Sequence, residues 1–484
     1  MRGLEPDALA RWCGGTWEGS APTVVNSVIV DSRLAAPGAL FVALPGTRCD
    51  GHAFVAEAFR RGAAGAVVRP EHPAGGGPLL RVAEPLKALQ AMAAGYRRAH
   101  SARIIGVTGS SGKTTVKEMI ADVLAAALPT ARTHGNWNNH IGLPLSLLNM
   151  PPTAQAGVFE AGVNHPGEME ELCQIMAPDW GVITNVGPVH LEFFKTEAAI
   201  AHAKAQLLRA LPSNGVAVLR ADAPWYETLR TAAPCRVVSV AFASEHAGAL
   251  PDFYARMKAD GIAVFGERAS EREWCVRPPL PGAHNIANML LAAAVGRVWG
   301  LEWEMIISAL ERYQPPPMRW ESSVWREVVL INDAYNANPM SVAAVLQTYA
   351  KLPGARKWLV LGSMLELGDA AAAMHQEVGR QVAAGKWQGL VTVGEQAEMI
   401  AAGAAGGGMP PERIFRCAGT EEAAIVLLRS LQAGDMVLLK GSRGIGLENV
   451  LRVLNRHDVK GSTRMTEELN CQGAKNAKKK TDEE

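Results

Sequence analysis

The stretch "GVTGSSGKTTVKE", residues 106–118, gathers the residue types that hold a triphosphate. Gly109 and Gly112 let the backbone curl so that N–H groups face one point, with the hydroxyls of Ser110 and Ser111 between them, and the helix that follows adds its positive dipole end. Lys113 supplies a point charge for terminal phosphates. Thr114, followed by Thr115, supplies a hydroxyl for Mg²⁺. The spacing departs from the strict phosphate-loop rule, because counting back from Gly112-Lys113-Thr114 places Val107 where the first glycine belongs. An ordinary glycine-rich turn is the competing reading. Two residues further on suit the same chemistry: Glu160, closing the apolar run "VFE", and His190 in "NVGPVHLEFF". A carboxylate is a hard donor for magnesium, whereas imidazole is an unusual one. Each taken alone is as readily a surface or hydrogen-bonded structural residue.

Such groups need a scaffold that brings distant segments to one edge. Short runs rich in Val and Ile alternate with Ala/Leu-rich helical patterns, the signature of parallel α/β domains. The runs "RIIGVTG", "GVFEAGV", "WGVITNVG", "VAVLRAD", "KWLVLGS", "GLVTVG" and "DMVLLKGS" read as strands. An open α/β sheet presents its site beyond the carboxyl ends of its strands, where the phosphate loop, Glu160 and His190 all fall. A chain of 484 residues exceeds one hydrophobic core and predicts roughly two to four domains. Breaks are expected at the basic "GYRRAHSAR" just before residue 104 and at "YQPPPMRW", 313–320, where three prolines stop a helix. The expected domains are 1–99, 100–313 and 314–459. Residues 460–484 lose apolar periodicity, end in a charge run and read as a disordered tail.

With 48 Lys+Arg against 47 Asp+Glu, the net charge of +1 offers no field for nucleic acid or an anionic membrane. A small-molecule substrate is the expectation. Cys13, Cys49, Cys173, Cys235, Cys275, Cys417 and Cys471 are scattered, odd in number and without a C-x-x-C pair, which points to idle thiols in a reducing compartment. The opening "MRGLEPDALARW" lacks the apolar core of a signal peptide, and no run reaches about 18 apolar residues. A cytoplasmic protein without membrane insertion is expected.

The loop matches the variant G-x-T/S-G-x-x-G-K-T/S of one group of ATP-dependent ligases, and the chain resembles the Mur ligases, the amide-bond formers of peptidoglycan synthesis. The resemblance runs from about residue 27 to about residue 455. It rests on "DSR" at 31–33, "GALFVALPGTRCDGHAF", the loop, "GNWNNHIGLPLSLL" at 135–148, "EAGVNHPGE", "GPVHLEFF", "PGAHNIANMLLAAA" at 281–294, "NDAYNANPMS" at 332–341, "LGSMLELGDAAAAMH" at 361–375 and "VLLKGSRG" at 437–444. It implies three α/β domains: an N-terminal UDP-substrate domain, a central P-loop ATPase-like parallel-sheet domain and a C-terminal Rossmann-like domain. "YNANP" with Ser341, Met364 to Gly368 and "KGSR" resemble the dipeptide-adding branch, which joins D-alanyl-D-alanine to UDP-N-acetylmuramoyl-tripeptide through an acyl phosphate. No "DNPR" of the diaminopimelate-adding branch is found, and folylpolyglutamate synthases lack the N-terminal module.

Carried over residue by residue, the resemblance implies that Asp31, Ser32, Arg33, Asp50, Gly51 and His52 read the UDP-sugar and that Asn138 and Asn139 touch substrate. Gly109 to Thr115, Asn285, Asn288, Arg319, Asp333, Asn336 and Asn338 would serve ATP, whose base and ribose lie against the second and third domains. Thr114, Glu160, His190 and Lys204 would serve Mg²⁺, with Lys204 carbamylated by CO₂ so that it offers an anionic oxygen instead of a repelling ammonium. Lys113, Lys204, His190 and Glu160 form the implied catalytic set, in a monomer. Three positions depart from the family pattern: Asn332 for Asp, Ser363 for Asp and Gln206 for Glu. Sites split between domains imply closure about "QPPPMR". Rival readings are a related ligase with another acceptor amine and a nucleotide-gated switch that ligates nothing.

Overall fold

Each of the seven apolar runs forms a strand in the computed structural model, which describes residues 4–46, 49–242, 251–270, 272–354 and 356–457. The tail expected at 460–484 lies outside the described residues. Arg103–Thr108 is buried at every position but its first, as suits a parallel strand covered on both faces. It sits inside a nine-stranded sheet, between Trp180–Ile183 on one side and Ala156–Glu160 on the other, all three parallel. Thr130–Arg132 closes the edge beyond Ala156–Glu160. On the far side follow Val216–Arg220, Arg236–Phe242, Phe253–Met257, Ala263–Glu267 and Glu273–Val276. The last three form an antiparallel meander that the apolar runs do not announce.

The displaced glycine of the loop is explained by this sheet. Gly106 lies within the strand, and a Cβ there would come within 2.7 Å of Leu207 and 2.8 Å of Met176. It makes room for the helices Glu197–Arg209 and Glu168–Met176, while the turn itself begins at Gly109 with φ 155°. On the other face, Lys113–Ala125 packs against Ala283–Trp299, close enough that a Cβ on Gly296 would meet Val123 at 2.7 Å. Both helices are buried along most of their length.

Two smaller sheets accompany this one. The first runs Thr16–Glu18, Leu79–Arg81, Gly65–Val68, Ala39–Val42, Ser27–Ile29, with only the first pair antiparallel. The second runs Glu321–Trp325, Val328–Asn332, Met436–Lys440, Lys357–Gly362, Gly389–Val393, Ile414–Cys417, again with only the first pair antiparallel.

The chain falls into two compact units, one of Met1–Val189 with Phe193–Gln314, the other of His190–Glu192 with the chain from Pro315 onward. Segments 1–99 and 100–313 thus share a unit. The basic stretch before residue 104 is an anchor there, not a loose linker: Arg97, at the end of the helix Pro85–Ala99, is buried and donates to Asp179 at 2.8 Å and to the carbonyls of Met176 and Ala177. Asn149 completes the join by pairing with both backbone groups of Val28 on the edge strand, at 3.0 and 2.9 Å. Among the described residues no helix is long and apolar enough to cross a membrane.

Candidate active site

The phosphate loop leaves the sheet at Thr108 and is braced by the neighbouring strand's exit. Asn185 accepts from the Ser111 N–H at 2.9 Å through its side chain and from the Ser110 N–H at 3.0 Å through its carbonyl. Thr184 Oγ1 donates to the Ser111 carbonyl at 2.5 Å, and Ser110 Oγ exchanges hydrogen bonds with Gly187. A Cβ on Gly109 would lie 1.9 Å from Thr184 Oγ1, so this position admits only glycine. Gly112, with φ 78°, caps the helix that begins at Lys113 and faces the carboxamide of Asn288, 2.9 Å from where a Cβ would stand. Lys113 folds back to the Gly109 carbonyl at 2.9 Å, and Thr114 and Thr115 are buried at the helix start. Asn285, one turn before Asn288, donates to the Pro281 carbonyl at 2.8 Å.

Glu160 ends the adjacent strand. Its N–H donates to Thr133 Oγ1 at 2.9 Å, and its Oε1 accepts from Asn138 at 2.7 Å. The other oxygen, Oε2, is buried with no hydrogen-bond partner among the described residues. A buried carboxylate oxygen left bare is costly unless something meets it. This donor, with the Thr114 hydroxyl, fits magnesium. Among the described residues no three His, Cys, Asp or Glu side chains cluster, and magnesium does not need them: it keeps several waters and takes one or two carboxylates beside phosphate oxygens. Lys204, on the helix Glu197–Arg209, is 2% exposed. Burial, and secondarily the charge of Lys113, pushes its amine well below the usual lysine range. Gln206, two residues on, carries a buried oxygen without a partner among the described residues.

In the second unit, His190 and Glu366 both adopt left-handed backbone, φ 52° and 63°, and His190 Nδ1 meets the Glu366 carboxylate. Asp333 follows the strand Val328–Asn332, pairs with the buried Lys440 at 2.8 Å and accepts from the Trp320 N–H at 3.0 Å. Arg319 stacks over Tyr335 with 4.2 Å from guanidinium to ring centroid. Lys440 also donates to the carbonyls of Asp333 and Asn336, so the lysine of "KGSR" pins the "YNANP" turn. Ser442 joins all three motifs, accepting from the Leu365 N–H at 3.0 Å, donating to the Ala337 carbonyl at 3.3 Å and giving its own N–H to the Ser363 carbonyl.

Two of the three departures find local partners. Asn332 donates to Glu321 at 3.2 Å, where an aspartate would repel, and Ser363 Oγ accepts from the Ala397 N–H at 3.0 Å. Two residues expected to touch ligands are engaged in local structure. Asn338 is the N-cap of Pro339–Lys351 in a capping box with Ser341, and Asn139 accepts from the Ile141 and Gly142 N–H groups ahead of Gly142–Leu148. Asn336, which is exposed, accepts from the Ala337 N–H.

His375, whose role the sequence does not reveal, holds the 363–368 turn. Its Nδ1 donates to the Ala371 carbonyl at 2.6 Å and its Nε2 accepts from the Met364 N–H at 2.9 Å, an arrangement open only to neutral imidazole. Burial holds its pKa below the ordinary histidine value, against a smaller opposing effect of the Ala371 carbonyl. A pKa lower in the folded than in the unfolded chain means stability that is complete above about 6.5 and lost as pH falls below it. The urea midpoint of the parent is therefore expected to drop from pH 7.5 to 5.5 more steeply than that of His375→Asn; equal slopes would refute this assignment.

In the N-terminal sheet's unit, Asp31 caps the turn at Ser32–Leu34 and pairs with Arg33 at 2.6 Å, with Ser32 buried beneath. Asp50 caps Gly51–Phe54, accepting from the His52 N–H, and its carboxyl is lowered to about 2, first by that bond and then by the imidazole. Arg69 reaches the same carboxylate at 2.5 Å, and a Cβ on Gly51 would strike the Leu44 carbonyl at 2.7 Å.

A parallel sheet carrying a braced phosphate loop beside a half-partnered buried carboxylate defines an enzyme that spends a nucleoside triphosphate, and the chain belongs to the Mur ligase family. Family models described as "Mur ligase family, catalytic domain", "Mur ligase middle domain" and "Mur ligase, glutamate ligase domain" match residues 24–97, 107–296 and 318–443. The UDP-N-acetylmuramoyl-tripeptide--D-alanyl-D-alanine ligase of Bacillus subtilis is 34% identical, covering 89% of this chain and 93% of its own. The Escherichia coli enzyme of that name is also 34% identical, covering 90% and 95%. A MurF crystal structure from Acinetobacter baumannii superposes with TM-score 0.83 at 30% identity over 93% of this chain and 99% of its own. The Thermotoga maritima MurF ligase in complex with ADP gives 0.75 at 27% identity over 89% and 97%.

Proposed function

We propose that the chain joins D-alanyl-D-alanine to UDP-N-acetylmuramoyl-tripeptide, with ATP becoming ADP and phosphate. The observation that carries the reading is Glu160, buried at the strand end next to the phosphate loop with one oxygen unpartnered among the described residues. A nucleotide-gated switch has no need of a second metal at an acyl phosphate, which is what Glu160 together with His190 and Lys204 would serve. The tripeptide carboxylate attacks the γ-phosphorus and ADP leaves; the dipeptide amine then attacks the acyl carbon, loses a proton and expels phosphate. The loop N–H groups, Lys113 and the helix start neutralise and align the triphosphate, which is most of what this transfer asks of a protein. Magnesium supplies charge neutralisation between phosphate and acceptor oxygens when bound. Thr114 and Glu160 would hold it, joined by His190 and by Lys204 once carbamylated, and the neutral amine that burial favours at Lys204 is the form that reacts with CO₂. Asn285, Asn288, Arg319, Asp333, Asn336 and Asn338 are assigned to the nucleotide. The UDP-sugar is assigned to Asp31, Ser32, Arg33, Asp50, Gly51 and His52, and substrate to Asn138 and Asn139. The enzyme is taken to act as a cytoplasmic monomer.

Phosphate release from MgATP with each organic substrate omitted in turn tests the reading. Release is expected only with both present, with a product heavier by the dipeptide less water. Release indifferent to the dipeptide would overturn it.

A further inference from the structure

We infer that Lys117 is the positioning residue that couples the phosphate-loop helix to the Glu160 carboxylate, working through Thr133. The inference rests on the proposed reaction and adds to it a residue that touches no substrate. Lys117 is wholly buried one turn beyond Lys113 on the same helix. Its three donors are all used: 2.8 Å to the Thr133 carbonyl, 3.0 Å to the Gly135 carbonyl and 2.6 Å to Glu118 Oε1. Arg132 pairs with Glu118 and Asp122 at 2.7 Å each and fixes the edge strand that leads into Thr133.

Both contacts that orient Glu160 come from the segment Lys117 pins. Thr133 Oγ1 accepts the Glu160 N–H, and Asn138, three residues past Gly135, donates to Glu160 Oε1. A Cβ on Gly162 would approach the Asn138 carboxamide to 2.6 Å, so Asn138 has little space to move away. The remaining oxygen, Oε2, is therefore fixed in direction by groups hung from the phosphate-loop helix. Burying an ammonium is expensive, and an apolar side chain would fill the space more cheaply if filling it were the only need. The ammonium instead gathers two carbonyls of the 133–135 turn against the helix carrying Lys113.

The test compares Lys117→Met, Thr133→Val and Thr133→Ser with the parent. Thr133→Val keeps the shape and removes the acceptor for the Glu160 N–H, and Thr133→Ser restores it. For Lys117→Met and Thr133→Val, kcat is expected to fall roughly 10–100-fold, the scale of losing a supporting contact behind a ligand. KM for ATP should stay within about 2-fold, since the loop itself is intact, and serine at 133 should return kcat to within about 3-fold. Mn²⁺ binding in the presence of ADP, followed by the electron paramagnetic resonance of free Mn²⁺, is expected to weaken by about 10-fold in the same two variants. A lowered melting temperature with unchanged kcat and unchanged Mn²⁺ binding per folded molecule would overturn the inference, as would valine and serine at 133 behaving alike. If Lys117→Met does not fold, the pair at 133 decides. Failure of the parent to ligate would instead strike the proposed reaction, while the Mn²⁺ measurement would still report on Lys117 and Thr133.

Discussion

Replacing Lys113 by methionine is expected to lower kcat/KM for ATP by about 10²–10³-fold, the scale of removing one preorganised donor from a site of developing charge. The side chain rests on the Gly109 carbonyl at 2.9 Å, already folded across the cup that the loop N–H groups form, so little reorganisation precedes its use. Methionine keeps the stem and deletes the charge. Affinity for ADP, which lacks the terminal phosphate, should suffer far less than turnover, and calorimetry beside a phosphate-release assay separates the two. A second consequence follows from Lys204. The charge of Lys113 helps to depress the Lys204 amine, so its loss raises that amine and leaves less of the neutral form available to CO₂. Lys113→Met and Lys204→Ala should therefore combine less than additively. A turnover within about 5-fold of the parent for Lys113→Met would sink both the role and the coupling.

What the sequence disclosed and what it withheld follow one physical division. Contiguous apolar runs identified the strands on either side of the phosphate loop, because a strand covered on both faces writes its burial into consecutive residues. The first and last strands of the meander, Phe253–Met257 and Glu273–Val276, are interrupted by charged residues such as Arg256 and Glu273, and only Ala263–Glu267 between them carries a short apolar run. Gly106, displaced from the strict loop spacing, is a packing feature, since only the helices over it show why a side chain cannot stand there. Asn338 was open to reading: Asn-Pro-Met-Ser has a proline at the first helical position and a reciprocal partner three residues on, a capping signature that competes with a ligand role.

Partners distant in sequence left no local trace. Glu366 lies 176 residues from His190, and Thr133 lies 27 residues from Glu160. Asn332 illustrates the converse. As a departure from the family pattern it raised a question about geometry, and the answer, Glu321 across the hairpin, is visible only once the register Glu321 opposite Asn332 is known.

Lys204 carries the second large effect. Lys204→Ala is expected to cost more than the roughly 10–100-fold typical of supporting contacts, because a carbamate at this position would stand in the first layer around the transferred group. The parent should lose activity in CO₂-free buffer and regain it with bicarbonate. The alanine variant should ignore bicarbonate yet recover in part with formate or acetate, which restore a carboxylate to the vacated space. Stability should move the other way. An amine held well below its unfolded value makes the native chain bind fewer protons than the unfolded one, so stability is diminished throughout the range below about 10.4 and regained only as pH rises towards it. Lys204→Met removes that cost and should melt at or above the parent's temperature while remaining inactive, and bicarbonate should raise the melting temperature of the parent alone, as a ligand of the native state does. Inactivity with a higher melting temperature separates a lost functional group from a damaged fold. Activity indifferent to CO₂, with an unmodified mass for the peptide containing residue 204, would leave Lys204 as a buried neutral amine and return the anionic donor role to Glu160 alone.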